Sequence, residues 1–184
     1  MGLDMYLNKK TYVKNWDHNG PKEQHKITVK KGGKTLKQIK PERISYIIEE
    51  VGYWRKANHI HQWFVQNCAN GVDNCQETWV NPEKLKELRD ISQTIIDYFD
   101  KSETGVERIK ATFGDDFDEM KYDIDEKILS ELLPTASGFF FGGTAYDHWY
   151  YQNTKATIKI IDDAFEGIEG IEDYGTNFFY EASW

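Results

Sequence analysis

Cysteine is scarce in this chain, and so are the motifs that announce a familiar reaction. There are two cysteines in 184 residues, Cys68 and Cys75. Their C-x6-C spacing is not a redox C-x-x-C, and no second ligand pair follows at zinc-finger spacing. Two buried or free thiols are therefore expected, with a disulfide across the short loop as the alternative. No apolar run approaches the roughly 20 residues of a membrane span. Residues 1–25 lack a signal-peptide pattern, so a soluble intracellular protein is expected. Gly142-Gly143 has neither the spacing nor the lysine of a P-loop. Ser137-Gly138 does not make the G-x-S-x-G nucleophile elbow, which leaves serine hydrolysis without support. The acidic run Asp115, Asp116, Asp118 and Glu119 lacks the glycine and closing glutamate of an EF-hand and reads as a solvated loop. No metal and no cofactor is expected.

Aromatic rings are what the chain does have. Hydrophobic residues make up 39% and charged residues 29%, lean in aliphatics, but 6 Trp, 11 Tyr and 10 Phe bring the aromatic share to 15%. Each ring buries on the order of 150–250 Å², which argues against disorder. The length fits one domain, residues 1–184, that can build a core without a metal or disulfide staple. The net charge of −8 disfavours nucleic acid as a partner. Charge is unevenly spread: residues 1–60 are net +7 and residues 61–184 net −15. The basic excess lies in a lysine-rich hairpin at about 9–40, which suits a solubilising surface or a lobe that meets an anion or a second copy. From this asymmetry a homo-oligomer is expected.

Leu3, Met5 and Leu7 alternate with polar neighbours as a strand with one buried face. A turn at 15–22 and a short strand His25–Lys31 follow. Pro41 is expected to open a helix with Ile44, Ile47, Ile48 and Val51 on one stripe, interrupted at Gly52. Helical spacing resumes with Ala57, Ile60, Phe64 and Cys68. Glu77–Val80 reads as a strand, and Asn81-Pro82 as the cap of a helix carrying Leu85, Leu88, Ser92, Ile95 and Phe99. Residues 101–124 are acidic and of uncertain structure. Asp125–Leu133 reads as a helix stopped by Pro134, and Phe139–Phe141 as a strand buried on both faces. Thr144 with Asp147 resembles a capping box for a helix running to about Phe165. The acidic linker at 166–173 is expected to be flexible. Phe178, Tyr180 and Ala182 alternate as a final strand tied into the sheet. The fold class expected is α+β, a small, largely antiparallel sheet packed against three to four helices.

Three stretches carry a resemblance: the opening M-G-L-D-M-Y-L, V-G-Y-W-R-K-A-N-H-I-H-Q-W-F at 51–64, and L-L-P-T-A-S-G-F-F-F-G-G-T-A-Y-D-H-W-Y at 132–150. Together they resemble a family of small bacteriophage and prophage proteins that begin with the same seven residues. The basic hairpin and residues 101–124 fall outside the resemblance. It implies a phage protein acting in the host bacterial cytoplasm, where proteins of this kind often disarm host defences, some by sequestering signalling nucleotides. It transfers no activity and no catalytic residue.

Two segments carry candidate chemistry. On a helix, Trp54, Asn58 and His61 would share one stripe, with Arg55, His59 and Gln62 on the next. Such a face offers a ring to stack on, a guanidinium for phosphate, and an amide and imidazole for polar edges. His59 and His61 point apart at helical i, i+2 spacing, against a shared metal. The second segment, Gly142-Gly143-Thr144, would expose unpaired N–H groups at a helix start, favourable to anions. The candidate ligand-binding residues are Trp54, Arg55, Lys56, Asn58, His61, Gly143, Thr144 and Tyr146. Trp54 and Tyr146 would stack, and Arg55 and Lys56 would meet phosphate. Asp4 on the first strand would pair with Arg55 or Lys56.

The expected function is non-enzymatic binding and sequestration of a small anionic ligand, a nucleotide-derived host defence signal. One alternative is a nucleotide-directed hydrolase using His61 as general acid/base, oriented by Asp4 or Asp147. The other is an inhibitor that binds a host protein through exposed rings.

Overall fold

The structure, a computed structural model, describes residues 2–22, 24–109, 117–168 and 175–184. It is α+β, as the element pattern implies. Four antiparallel strands form the main sheet in the order β4-β1-β8-β5, with β1 Asp4–Tyr12, β4 Tyr46–Arg55, β5 Thr78–Val80 and β8 Thr176–Ser183. Two small ribbons accompany it: β2 Lys30–Lys31 with β3 Lys34–Thr35, and β6 Glu103–Ile109 with β7 Phe117–Tyr122. The helices are α1 Asn58–Asn67, α2 Pro82–Lys101, α3 Glu126–Leu132 and α4 His148–Ala164. Among the described residues, no helix is long and apolar enough to cross a membrane.

The alternation in β1 does what a period of two demands. Leu3, Met5 and Leu7 are fully buried, while Asp4, Tyr6 and Asn8 are only partly covered on the other face. Register carries that face across the sheet: Met5 stands opposite Trp54 and Ala182, and Leu7 opposite Gly52 and Tyr180. Helices α2 and α4 pack together, burying Leu85, Leu88, Ile95 and Phe99 from one and Tyr150, Thr154, Thr157 and Ile161 from the other. Arg89 clasps Asp162 across them with bonds of 3.0 and 3.3 Å. Asn81 caps α2 by accepting the Glu83 N–H at 2.9 Å, and Pro82 takes the first helical position.

Three expectations are overturned and a fourth is cut back. The isoleucine stripe after Pro41 is not a helix: only the turn Pro41–Arg43 is helical, and Tyr46–Arg55 is the edge strand β4. A run rich in β-branched and aromatic residues favours extended backbone, and its i, i+3, i+4 spacing is a coincidence of that composition. Phe139–Phe141 is no strand but a turn closed by Phe141 N–H to Gly138 O, which leaves Phe139 92% exposed. The last helix begins at His148, and its cap is Asp147 rather than Thr144. The short strand at 25–31 shrinks to Lys30–Lys31, because only those residues pair across the Gly32-Gly33 turn. Residues 110–116, with Asp115 and Asp116, and most of the acidic linker at 166–173 lie outside the described residues.

Candidate ligand-binding cleft

A cleft of about 420 Å³ opens where β4 hands over to α1. That volume lies within the roughly 300–1,000 Å³ typical of small-molecule sites. Arg55 and Lys56 enter from the end of β4, and Asn58 and His59 from the first turn of α1. Thr135, Gly142, Gly143, Ala145 and Asp147 come from the loop before α4; Trp149, Tyr150 and Asn153 come from α4 itself. The junction is tight. Lys56 holds a left-handed backbone at φ 58 and donates its N–H to Leu3 O at 2.8 Å. Gly142, at φ 89, passes so close that a Cβ would stand 3.2 Å from Lys56 Cβ.

Asn58 builds the cleft rather than reading its contents. It is buried, and its amide donates to Phe141 O at 3.1 Å and Gly143 O at 2.7 Å. Its carbonyl accepts the Ala136 N–H at 3.1 Å. Both donors and one lone pair of the oxygen are thus occupied in pinning the 135–143 loop to α1, while Asn58 also lines the cleft in which a ligand contact was expected.

Positive charge at the cleft is little neutralised. Arg55 is mostly exposed and reaches Asp4 only at 3.9 Å, the pairing expected from sequence, while Tyr53 donates to the same carboxylate at 2.5 Å. Lys56 has no ion-pair partner among the described residues. Asp147 brings the opposite sign. One of its oxygens accepts the N–H groups of Trp149 and Tyr150 at 2.9 and 3.1 Å, so the start of α4 is capped by the protein's own carboxylate. The vacant anion-binding helix end expected at Thr144 is therefore filled. Thr144 lends its carbonyl to Thr135 Oγ1 at 3.0 Å, and Tyr146 packs edge-on against Tyr150; neither lines the cleft.

Trp54 and His61 are core residues. Trp54 is 2% exposed, lies edge-on to Phe64 and donates its indole N–H to Thr157 Oγ1 at 2.8 Å. On β4 it no longer shares a helical stripe with Asn58. Trp149, 64% exposed on the cleft wall, is the ring free to stack. His61 is 1% exposed, with Nδ1 on the Tyr180 hydroxyl at 2.7 Å and Nε2 on Asp73 at 3.1 Å. Both nitrogens are committed and the ring is sealed beside Phe141 and Trp184. The acid/base role expected of it has no open position, and its carboxylate is Asp73, not Asp4 or Asp147.

His59 occupies the cleft that His61 does not reach. Its ring lies 4.2 Å from that of Tyr150, and Nε2 sits 3.2 Å from Thr154 Oγ1. Burial lowers its pKa to about 3, so the imidazole is neutral. The two cysteines are free: Cys75 is exposed, and burial raises the half-buried Cys68 thiol to about 11. No group of three or more metal-ligating side chains occurs among the described residues.

His59, Asp147 and Trp149 were within reach of the sequence, since all three lie in the resembling stretches. What hid them was the register error that placed Arg55 and Trp54 on a helix. Comparison with family models, with curated proteins and with solved structures finds no match.

Proposed function

We propose that the chain binds and sequesters a small anionic ligand of the nucleotide class in this cleft, without transforming it. The observation that carries the reading is the convergence of two weakly paired cations, Arg55 and Lys56, with an exposed ring, Trp149, around about 420 Å³. A phosphate meets the cations and a flat base stacks on the indole. No nucleophile paired with a base lines the cleft, which favours binding over hydrolysis. In a phage protein acting in the host cytoplasm, such a ligand is a nucleotide-derived defence signal and its capture an anti-defence activity. The uneven charge of the two parts of the chain favours a homo-oligomer.

Native mass spectrometry followed by heat denaturation tests the reading. An intact nucleotide released from the folded protein, with subunit number read in the same spectrum, is the expected result. Arg55→Ala should abolish retention while leaving the melting temperature nearly unchanged, because its ion pair is long and exposed. A protein that carries nothing and gains no thermal stability from mononucleotides or pyrophosphate overturns it. A second reading, capture of a host protein, rests on Phe139, a residue 92% exposed. It predicts a stable complex that Phe139→Ser dissolves.

A further inference from the structure

Two threonines on α4 make the same pair of hydrogen bonds, one turn apart. Thr157 Oγ1 donates to Asn153 O at 2.8 Å and accepts from the Trp54 indole, which can only donate. Thr154 Oγ1 donates to Tyr150 O at 2.8 Å and meets His59 Nε2 at 3.2 Å. A carbonyl only accepts, so the Thr154 proton is spent on Tyr150. The bond to His59 then runs from Nε2–H to the hydroxyl oxygen, as the indole bond does.

This fixes the tautomer. With Nε2 protonated and the ring neutral, Nδ1 carries a lone pair. Among the described residues it has no hydrogen-bond partner, yet it is not among their sealed, unsatisfied atoms. His59 is 97% buried and lines the cleft, so the small part left uncovered includes this nitrogen. A buried acceptor left open costs stability unless something donates to it. Asp147 adds a second acceptor, since the oxygen that does not cap α4 carries no hydrogen bond from any described residue.

From this geometry we infer that His59 Nδ1 selects the ligand by accepting a hydrogen bond from an N–H group, so that the cleft takes a nucleotide whose base carries an amine or ring N–H. The inference rests on the reading of the cleft as an anionic-ligand site and narrows it. Cations receive the phosphate; His59 and Asp147 receive the donor edge of the base. A ligand with the same phosphate and ring but no N–H leaves both acceptors empty. A site built around such a bond discriminates against the analogue that lacks it.

Isothermal titration with adenosine, guanosine and cytidine 5′-monophosphates and with purine riboside 5′-monophosphate, which has no base N–H, tests the assignment. At least one aminated nucleotide should bind about tenfold or more tighter than the purine riboside nucleotide. His59→Phe should cut that difference severalfold, leaving only what Asp147 contributes, while keeping the residual affinity set by the phosphate. Equal affinities in the unaltered protein overturn the role of His59 and leave anion binding intact. No affinity for any of the four or for pyrophosphate overturns both. Imidazole nitrogen NMR of the unaltered protein supplies a second readout should His59→Phe fail to fold. Nδ1 should shift on adding the tightest of the four nucleotides while Nε2 stays protonated, and an unmoved Nδ1 in a nucleotide-bound sample overturns the inference.

Discussion

Gly52 of β4 lies directly beneath Ile160 of α4: a Cβ placed on the glycine would stand 2.4 Å from Ile160 Cγ2 and 3.2 Å from Leu7 Cβ. No side-chain contact closes to that distance without movement, so the helix rests on the sheet here because position 52 has no side chain. The consequence reaches the cleft, since β4 ends in Arg55 and α4 begins beside Asp147. Gly52→Ala should lower stability by about 1–3 kcal/mol through overpacking. Ile160→Ala removes the obstructing methyl, and the double variant should recover part of the loss. Urea unfolding of the four members of this cycle measures the coupling; strictly additive losses would show that the two residues do not meet.

That same glycine marks where the sequence misleads. Read as a helix interrupter, it belongs to the isoleucine stripe; on a strand, it is the seat of α4. Strand periodicity in Leu3-Met5-Leu7 and Phe178-Tyr180-Ala182 was legible because those strands sit in the middle of the sheet, buried on one face. An edge strand such as β4 gives no such signal: Tyr46, Ile47 and Ile48 are all exposed. The helix of Asn81-Pro82 was legible because its cap is local chemistry. Arg55, Lys56 and Gly143, singled out from the sequence, line the cleft, because charge and glycine survive an error of secondary structure. The sequence points to Trp54 as a stacking ring, whereas it is buried and Trp149 is exposed, because which ring is buried is decided by the partner across the sheet and not by its neighbours in sequence.

Asn58 holds the cleft together at three points, so its loss should be felt more in the loop than in the core. Asn58→Ala leaves Gly143 O, Phe141 O and Ala136 N–H without their partner, an expected cost of about 2–4 kcal/mol. Amide hydrogen exchange should quicken at Ala136 before it quickens at Met5 or Tyr180 of the central strands. Uniform acceleration across these positions would instead mean that the loop and the core open as one unit.

Lys56 sets stability against binding. Its left-handed φ of 58 is strained for a side chain bearing a Cβ, at a cost of order 1–3 kcal/mol. Glycine adopts that conformation freely, though it gives up about 0.5–1 kcal/mol in chain entropy. Lys56→Gly should therefore raise stability by about 1 kcal/mol and weaken the retention of mononucleotides, opposite signs from one substitution. Chemical denaturation and nucleotide titration on the same preparation separate the two. A stable variant that binds unchanged would remove Lys56 from the ligand's path.

The neutral imidazole of His59 also makes a statement about acid. In the unfolded chain it takes its proton near the ordinary value of 6.5; in the folded protein burial holds it back to about 3. Between those values the unfolded chain binds more protons, so lowering the pH draws the equilibrium toward it. The stability that depends on a neutral His59 is present in full above about 6.5 and is lost as pH falls toward about 3. The slope in that window is at most about 1.4 kcal/mol per pH unit. Carboxylates impose slopes of their own, so the informative quantity is the difference between the unaltered protein and His59→Phe. That difference should be greatest near neutrality and should move steadily in favour of the variant as the solution is acidified, because phenylalanine has no proton to take up. Urea unfolding of both proteins from neutral to about pH 4 follows it directly. Parallel curves would mean that His59 titrates in the fold as it does in water, with the cleft wet enough to hold it charged.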